Sequence, residues 1–461
     1  MLDFKTTPLP PRPSLSDDQK KLVFDSVPVL QAHGTKITEE MYKNMLGENS
    51  SLRDVFNHSK QASGAQQYAL AQALEAYARN IYNLEPILPT IRSIANKHAS
   101  LSIEPWMYNI VGHYLVDALS TVLPLQKVAF DGALKTAWID AYWYLAHEFI
   151  GLEAGLYQSA GWLGWKPFKV VKRVPETSDI ASFYLEPVDG TDLKAFKAGQ
   201  YISVQLTVDE LNCKQSRQYS LSDSSNSKYL RISVSRDPGA RILTPSGSVD
   251  PSGGATHYPA FVSNLLHSKV FEGATIEVAS PFGEFLLDDS TAPLVFISGG
   301  VGLTPLLSML NTIAGTSKET ALPRRVTWIQ SVRKVSDLAF GQHIDNLVKT
   351  FPSSISTVTY YTGLKNGAPE VDAARTKTLA IAPSAHRQVF GGRIAFAPKV
   401  ATADTDTSFD ASVLYLGNKE AHYYICGPAP FMSEAQRQLE GLGVEAIRIH
   451  TEKFAGDKPA H

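Results

Sequence analysis

Three stretches of this chain place cofactor-gripping or reactive side chains at spacings with chemical meaning. In "RQYSLSD" (217–223), Arg217, Tyr219 and Ser220 stand at i, i+2 and i+3. Side chains alternate along a strand, so Arg217 and Tyr219 share a face. A guanidinium beside an aromatic ring and a hydroxyl suits a flavin, with Arg217 for its pyrophosphate, Tyr219 against the ring system and Ser220 near the N5 edge. The same residues would also make a plain solvent-exposed strand. "AGQYISV" (198–204) precedes this stretch, and "FVSNLL" (261–266) follows it with a helix N-terminus suited to phosphate. In "SGGVGLTPLLSML" (298–310), an apolar strand runs through a glycine turn into a helix, reading Gly300-x-Gly302-x-x-Pro305 instead of GxGxxG. Glycines let the backbone approach a pyrophosphate, whose charge then meets the positive end of the helix dipole. Pro305 suits a first helical turn. A structural tight turn would read the same way on its own. In "IRSIANKHASL" (91–101), Ile91, Ile94, His98 and Leu101 form one apolar stripe, so His98 faces inward. A buried histidine on such a stripe is either a satisfied core residue or a ligand.

The elements that must position these residues change in kind twice along the 461 residues, a length that suggests about three domains. From Ser16 to Tyr157 the apolar period is helical, as in "YALAQALEAYARNIYNL" (68–84), "PWMYNIVGHYLVDALSTVL" (105–123) and "LKTAWIDAYWYLAHEFIGLEAGLY" (134–157). "QSAGWLGWKP" (158–167) reads as a linker. Short alternating strands follow ("FKVVKRV", "ASFYLEPV", "QYISVQLTV", "YLRISVSR"), the pattern of an antiparallel barrel or sandwich. From about Pro293, apolar strands alternate with helices, which predicts a parallel α/β unit. The expected fold is therefore multidomain: all-α over 1–158, an antiparallel β-barrel over 159–288 and a parallel-sheet α/β domain over 289–461. The Gly/Ser/Pro-rich stretch 237–259 is expected to be a mobile surface loop.

Composition narrows the function classes. A formal net charge of -2 gives no reason to expect nucleic acid or an anionic membrane as partner. Two cysteines, Cys213 and Cys426, cannot make a disulfide framework or a four-cysteine metal site, so a reducing compartment is expected. No apolar run is long enough for a membrane span, and the Pro-rich start lacks the core of a secretory signal. The expected location is the cytoplasm.

"GQY", "RQYS", "VSNLL", "GGVGLTP" and "YICGP" occur in order, and together they resemble the ferredoxin–NADP reductase superfamily over roughly residues 165–461. That resemblance implies an FAD barrel followed by a pyridine-nucleotide domain. "LRDVFNHSKQ", "QQYALAQALEAYARNIYNLEPILP", "IANKHASLSI" and "YNIVGHYL" resemble the globin domain of flavohaemoglobins, so the likeness covers nearly the whole chain, module order included.

The resemblance implies a set of roles. His98 is the proximal ligand of a haem b iron, with Tyr108 and Glu153 as the partners that push electron density toward it. Tyr42 is the tyrosine that hydrogen-bonds distal oxygen, Gln66 is the second polar distal residue, Leu70 restricts the pocket and Phe56 packs against the haem. Lys97 matches a lysine near the haem edge. Tyr201, Arg217, Gln218, Tyr219 and Ser220, with Val262 and Ser263, would hold FAD. Gly299, Gly300, Gly302, Thr304 and Pro305 would receive NAD(P)H. Cys426, Gly427 and Pro428 form the turn near the nicotinamide, where Cys426 serves backbone geometry and not nucleophilic chemistry. Glu452 and Phe454, two apart in the last strand, would lie near the flavin–haem gap and over the flavin. "AGD" follows Phe454 where the family usually has Gly-Pro. His33, His113 and His147 are read as helix residues without ligand partners, and His58 as solvated.

The implied activity is nitric oxide dioxygenation: NAD(P)H reduces FAD, FAD reduces the haem, and dioxygen with nitric oxide gives nitrate. The alternative is an NAD(P)H-dependent haem or flavin reductase acting on ferric iron, oxygen or a protein. An oxygen or nitric oxide sensor or store is a third reading, disfavoured because a carrier needs no two-electron input. Arg333 and Lys334 follow a strand where a 2′-phosphate could sit, which leans toward NADPH, although a solvated basic pair reads equally well. A monomer is expected.

Overall fold

A helical unit, a closed antiparallel sheet and a parallel sheet flanked by helices follow one another along the chain. The structure, a computed structural model, describes residues 3–130, 132–237, 239–241, 257–258, 260–317, 321–396 and 408–454. The helical unit comprises α1 (Asp17–Asp25), α2 (Val27–Glu48), α3 (His58–Ala62), α4 (Ala65–Arg79), α5 (Leu88–Ser100), α6 (Met107–Leu125) and α7 (Gly132–Ser159). Ser16 and Gln19 close a capping box on α1, satisfying two backbone donors that a helix start leaves free. Helix starts at α2 and α5 carry proline in the first turn, where its missing N–H costs nothing. The core runs through Ile37, Met41, Met45, Tyr77, Leu119 and Trp138. A smaller cluster, Ile91, Ala95, Tyr108, Ala146 and Phe149, joins α5, α6 and α7. Gly112 makes that junction possible. A Cβ there would come within 2.5 Å of the Tyr142 ring, whose hydroxyl donates to the Tyr108 carbonyl at 2.6 Å.

The second unit contains β1 (Lys166–Pro175), β2 (Ile180–Pro187), β3 (Tyr201–Val208), β4 (Cys213–Ser220), β5 (Leu230–Ser235), β6 (Ala240–Arg241), β7 (His257–Tyr258), α8 (Phe261–Ser268) and β8 (Thr275–Val278). Six strands run in the order β4-β3-β8-β1-β2-β5, all pairings antiparallel. A Leu221–Ile232 bridge brings the far edges together, so the sheet closes as a barrel around Phe168, Phe183, Ile202, Val204 and Ile232. Within 237–259, residues 238, 242–256 and 259 lie outside the described residues, and with them most of the stretch expected to be a surface loop; β6 and β7 pair with each other.

The third unit has β9 (Leu294–Gly299), α9 (Leu303–Thr316), β10 (Val326–Val332), α10 (Gly341–Thr350), β11 (Ile355–Tyr361), α11 (Pro369–Ile381), β12 (Arg387–Gly391), β13 (His422–Cys426), α12 (Ala429–Gly441) and β14 (Ile449–Glu452). Its sheet is parallel throughout, in the order β12-β11-β10-β9-β13-β14. The order reverses beside β9. Such switch points open a crevice at the carboxyl ends of the strands, here the ends of β9 and β13.

Candidate functional site

The proximal part is built on α5, α6 and α7. His98 Nδ1 lies 2.8 Å from Glu153 Oε1 and 3.0 Å from the Tyr108 hydroxyl, and that hydroxyl donates to the same Glu153 oxygen at 2.6 Å. A carboxylate can only accept, and Tyr108 has spent its proton on it. The imidazole proton therefore sits on Nδ1, which leaves the Nε2 lone pair free for a metal. Burial first, and then the Glu153 charge, push the Tyr108 phenol well above its ordinary value, so it stays a donor. Glu153 is 2 % exposed and its second oxygen has no protein partner. The Phe149 ring packs 5.4 Å from that of His98. The helical stripe aims His98 inward, and Tyr108 and Glu153, 45 residues apart in the chain, converge on one of its nitrogens.

The distal set lies on α2, α4 and the turn before α3. Tyr42 is 6 % exposed and meets Phe56 edge-on at 5.4 Å. Burial raises the Tyr42 phenol, while a hydrogen bond with Gln66 opposes that shift. Gln66 Oε1 is buried without a partner. Leu70 and Phe56 pack against the same apolar core as Tyr42.

In the barrel, β3 and β4 set Tyr201 opposite Ser220, Ile202 opposite Tyr219, Ser203 opposite Gln218 and Val204 opposite Arg217. The Tyr219 hydroxyl is buried and unpartnered. Ser263 on α8, next to the buried Val262, accepts from the Asp237 backbone at 3.3 Å. Helical and barrel units meet through polar contacts that sequence reasoning missed. The Arg217 guanidinium donates to Asn57 Oδ1 at 3.0 Å, and Gln215 receives the His58 N–H at 2.9 Å while donating to the carbonyls of Arg53 and Phe56. On α5, Asn96 accepts from the Gly283 N–H at 3.0 Å, and Ser100 hydrogen-bonds Tyr201. Asn96 and Ser100 are polar, buried and four apart, so they share a helix face. That spacing was the available signal. His58 is half-buried at this junction, where burial and Arg53 lower its pKa; the expectation of a solvated His58 is corrected by the docking of β4 against it.

His113 packs against Phe4, and His147 bonds the Pro10 carbonyl at 2.8 Å, so both serve the N-terminal segment. Lys97 is half-buried, with its pKa lowered by burial and then by Arg217.

At the parallel sheet, the Gly299–Gly302 turn abuts the Cys426–Gly427–Pro428 turn. A Cβ on Gly302 would sit 2.3 Å from the Cys426 carbonyl oxygen, so only glycine permits this approach. Gly300 has a φ of 55° with open space beside it. Thr304 bonds the Val301 carbonyl at 3.1 Å, and Pro305 is buried in the first turn of α9. Cys426 is fully buried. Arg333 and Lys334 follow β10, with Lys334 exposed 4.0 Å from Asp337. Phe454 packs against the cluster containing Phe285, Leu303 and Cys426.

A cavity of about 250 Å³ lies where the three units meet, lined in part by Ser93, Glu284, Tyr424, His450 and Glu452. Burial, and then the neighbouring Glu284, push the Glu452 carboxyl up to about 7. Glu284 had no signal in the sequence, because only the fold brings it to Glu452. Among the described residues no helix is long and apolar enough to cross a membrane.

Family profiles match the chain twice: a globin profile over residues 39–149 and an oxidoreductase NAD-binding domain over 296–437. A flavohemoprotein of Chromobacterium violaceum is 39 % identical over 446 residues, covering 95 % of this chain and 98 % of the relative. One from Rhizobium meliloti is 36 % identical, covering 96 % and 99 %. The crystal structure of flavohemoglobin from Malassezia yamatoensis, with bound FAD and heme, superposes with a TM-score of 0.73 at 27 % identity, covering 96 % of this chain and all of that one.

Proposed function

We propose, from the premise that the chain belongs to the flavohaemoprotein family, that this NAD(P)H-dependent oxidoreductase is a nitric oxide dioxygenase. Its balanced reaction is two nitric oxide, two dioxygen and one NAD(P)H giving two nitrate, NAD(P)+ and one proton.

The residues present fit the three groups this requires. His98 offers an unprotonated Nε2 to a haem iron. Arg217 and the orphaned Tyr219 hydroxyl offer a cation and an unsatisfied polar atom to FAD. Where the β9 and β13 turns meet, Gly300 faces open space that a dinucleotide backbone could approach. When bound, haem supplies a one-electron iron and FAD divides a hydride into single electrons.

The chain's own groups then have defined tasks. Glu153 holds the Nδ1 proton and lends His98 imidazolate character, and Tyr108 fixes the carboxylate through its second hydrogen bond. Tyr42, kept protonated by burial, is a hydrogen-bond donor to a distal ligand, and Gln66 holds its hydroxyl in place. Phe56 and Leu70 exclude water from that side. Gly302 and Gly427 let the β9 and β13 turns touch, so that a nicotinamide is positioned by backbone and not by the buried Cys426 thiol.

The observation that carries this reading is the buried Glu153 on His98 Nδ1. An anionic partner favours activation of bound oxygen over its storage. Purified protein given NAD(P)H, dioxygen and nitric oxide should produce nitrate in step with nitric oxide loss. Reductant oxidation without oxygen-dependent nitrate would refute the proposal and favour a reductase for another acceptor.

A further inference from the structure

Lys60 belongs to α3 of the helical unit, and no role for it follows from anything above. Its surroundings are unusual for a lysine. One oxygen, Asn57 Oδ1, accepts from the Lys60 backbone N–H at 3.3 Å and from the Arg217 guanidinium at 3.0 Å. A residue of the helical unit is thereby tied to the cation of β4. The neighbouring His58 N–H and the carbonyls of Arg53 and Phe56 are clamped by Gln215, so the segment cannot swing away from the barrel without breaking several hydrogen bonds.

Lys60, Lys97 and Arg217 are all half-buried, and none forms an ion pair among the described residues. The charges acting on Lys60 are those of Lys97 and Arg217, both positive; Arg217 alone also feels Asp237. Burial, then Lys97, then Arg217, pull the Lys60 ammonium down to about 8. Three like charges withdrawn from water destabilise one another unless an anion lies among them. Two further buried polar atoms near this cluster in the chain, Gln61 Nε2 and the Tyr219 hydroxyl, also lack partners.

We propose that Lys60 is an anion-binding residue for the FAD pyrophosphate, presented by the helical unit so that the flavin is gripped from two units at once. Asn57, whose Oδ1 joins the Lys60 backbone N–H to the Arg217 guanidinium, sets Lys60 beside the cation of β4 and so favours the phosphate of FAD over a haem propionate, the other anion that could reach this cluster. Retention of FAD then depends on the docked helical unit. This holds whether or not nitric oxide is the substrate.

The test uses full-length protein loaded with both cofactors. FAD release on dilution is followed by recovery of free-flavin fluorescence, and haem loss by transfer to apomyoglobin. Replacing one charge-assisted contact by a neutral one should raise the FAD dissociation constant of K60Q about tenfold, with haem loss unchanged. K60R should stay within about threefold of wild type, since it keeps the charge. Salt should weaken FAD binding more in wild type than in K60Q. Faster haem loss with unchanged FAD affinity would assign Lys60 to a propionate and overturn the proposal. Unchanged behaviour of both cofactors would overturn it too, as would equal losses in K60Q and K60R. Should K60Q not fold, salt-independent FAD affinity in the wild type would overturn it without any variant.

Discussion

Glu153→Gln isolates the charge at the proximal histidine while keeping its shape. Glu153 Oε1 accepts from His98 Nδ1 at 2.8 Å and from the Tyr108 hydroxyl at 2.6 Å. Glutamine can accept both bonds through its carbonyl oxygen, so the geometry survives and the negative charge does not. Hydrogen bonds to an ionised acceptor are roughly twice as strong as neutral ones, so each of the two bonds should weaken by about 1 kcal/mol. Stability changes less than those losses suggest. The carboxylate is 2 % exposed with an unpartnered Oε2, so its removal also relieves a desolvation cost. Against that gain, the new amide N–H₂ at the Oε2 position lacks a partner, a cost of about 1–3 kcal/mol. These opposing effects should leave the melting temperature within a few degrees. The electronic effect has no such offset. Partners of a ligand histidine are typically worth about 10–100-fold in activity, and nitric oxide turnover should fall by that factor. Resonance Raman of the ferrous protein should show the iron–histidine stretch moving to lower frequency, the direct sign of lost imidazolate character. An unchanged stretch with unchanged turnover would refute the assignment of Glu153. A stretch that moves without any change in turnover would keep the contact and remove its catalytic importance.

Other outcomes follow from the same geometry. Tyr42→Phe removes the only hydroxyl assigned to the distal side and should speed oxygen dissociation and cut nitric oxide turnover at low oxygen by about tenfold, the worth of one hydrogen bond; wild-type turnover there would refute the role. Gly302→Ala forces a Cβ to within 2.3 Å of the Cys426 carbonyl, so a loss of about 1–3 kcal/mol is expected, with slower reduction of the flavin by NAD(P)H in stopped flow. A Glu452 carboxyl raised to about 7 binds its proton more tightly in the folded than in the unfolded state. Its contribution is therefore intact below the ordinary carboxylate range and is lost as pH rises toward 7, by about 3 kcal/mol at most. Glu452→Gln should flatten that decline in thermal melts across pH 4.5–8, and parallel curves for the two proteins would exclude the effect.

Periodicity and local motifs made much of this protein legible from the chain. The helical period places His98 inward because α5 is amphipathic, whatever it packs on. The alternation of β4 puts Arg217 and Tyr219 on one face, and the strand–glycine–helix order marks β9 and α9. Each is a local property, set by side-chain direction over a few residues. The ligand assignments themselves rested on resemblance, because a stripe cannot distinguish a core histidine from a metal-binding one.

Tertiary structure alone decided the rest. Which proton His98 carries depends on Glu153 and Tyr108 arriving at the same nitrogen from two other helices. Whether His58 is wet depends on β4 docking beside it, and the Glu452 pKa depends on Glu284 from a distant turn. Lys60 reads as an ordinary helix lysine until Asn57 is seen holding Arg217. The physical reason is common to all four. Burial and electrostatic coupling act through space between groups far apart in the chain, so no window of sequence contains both members of the pair.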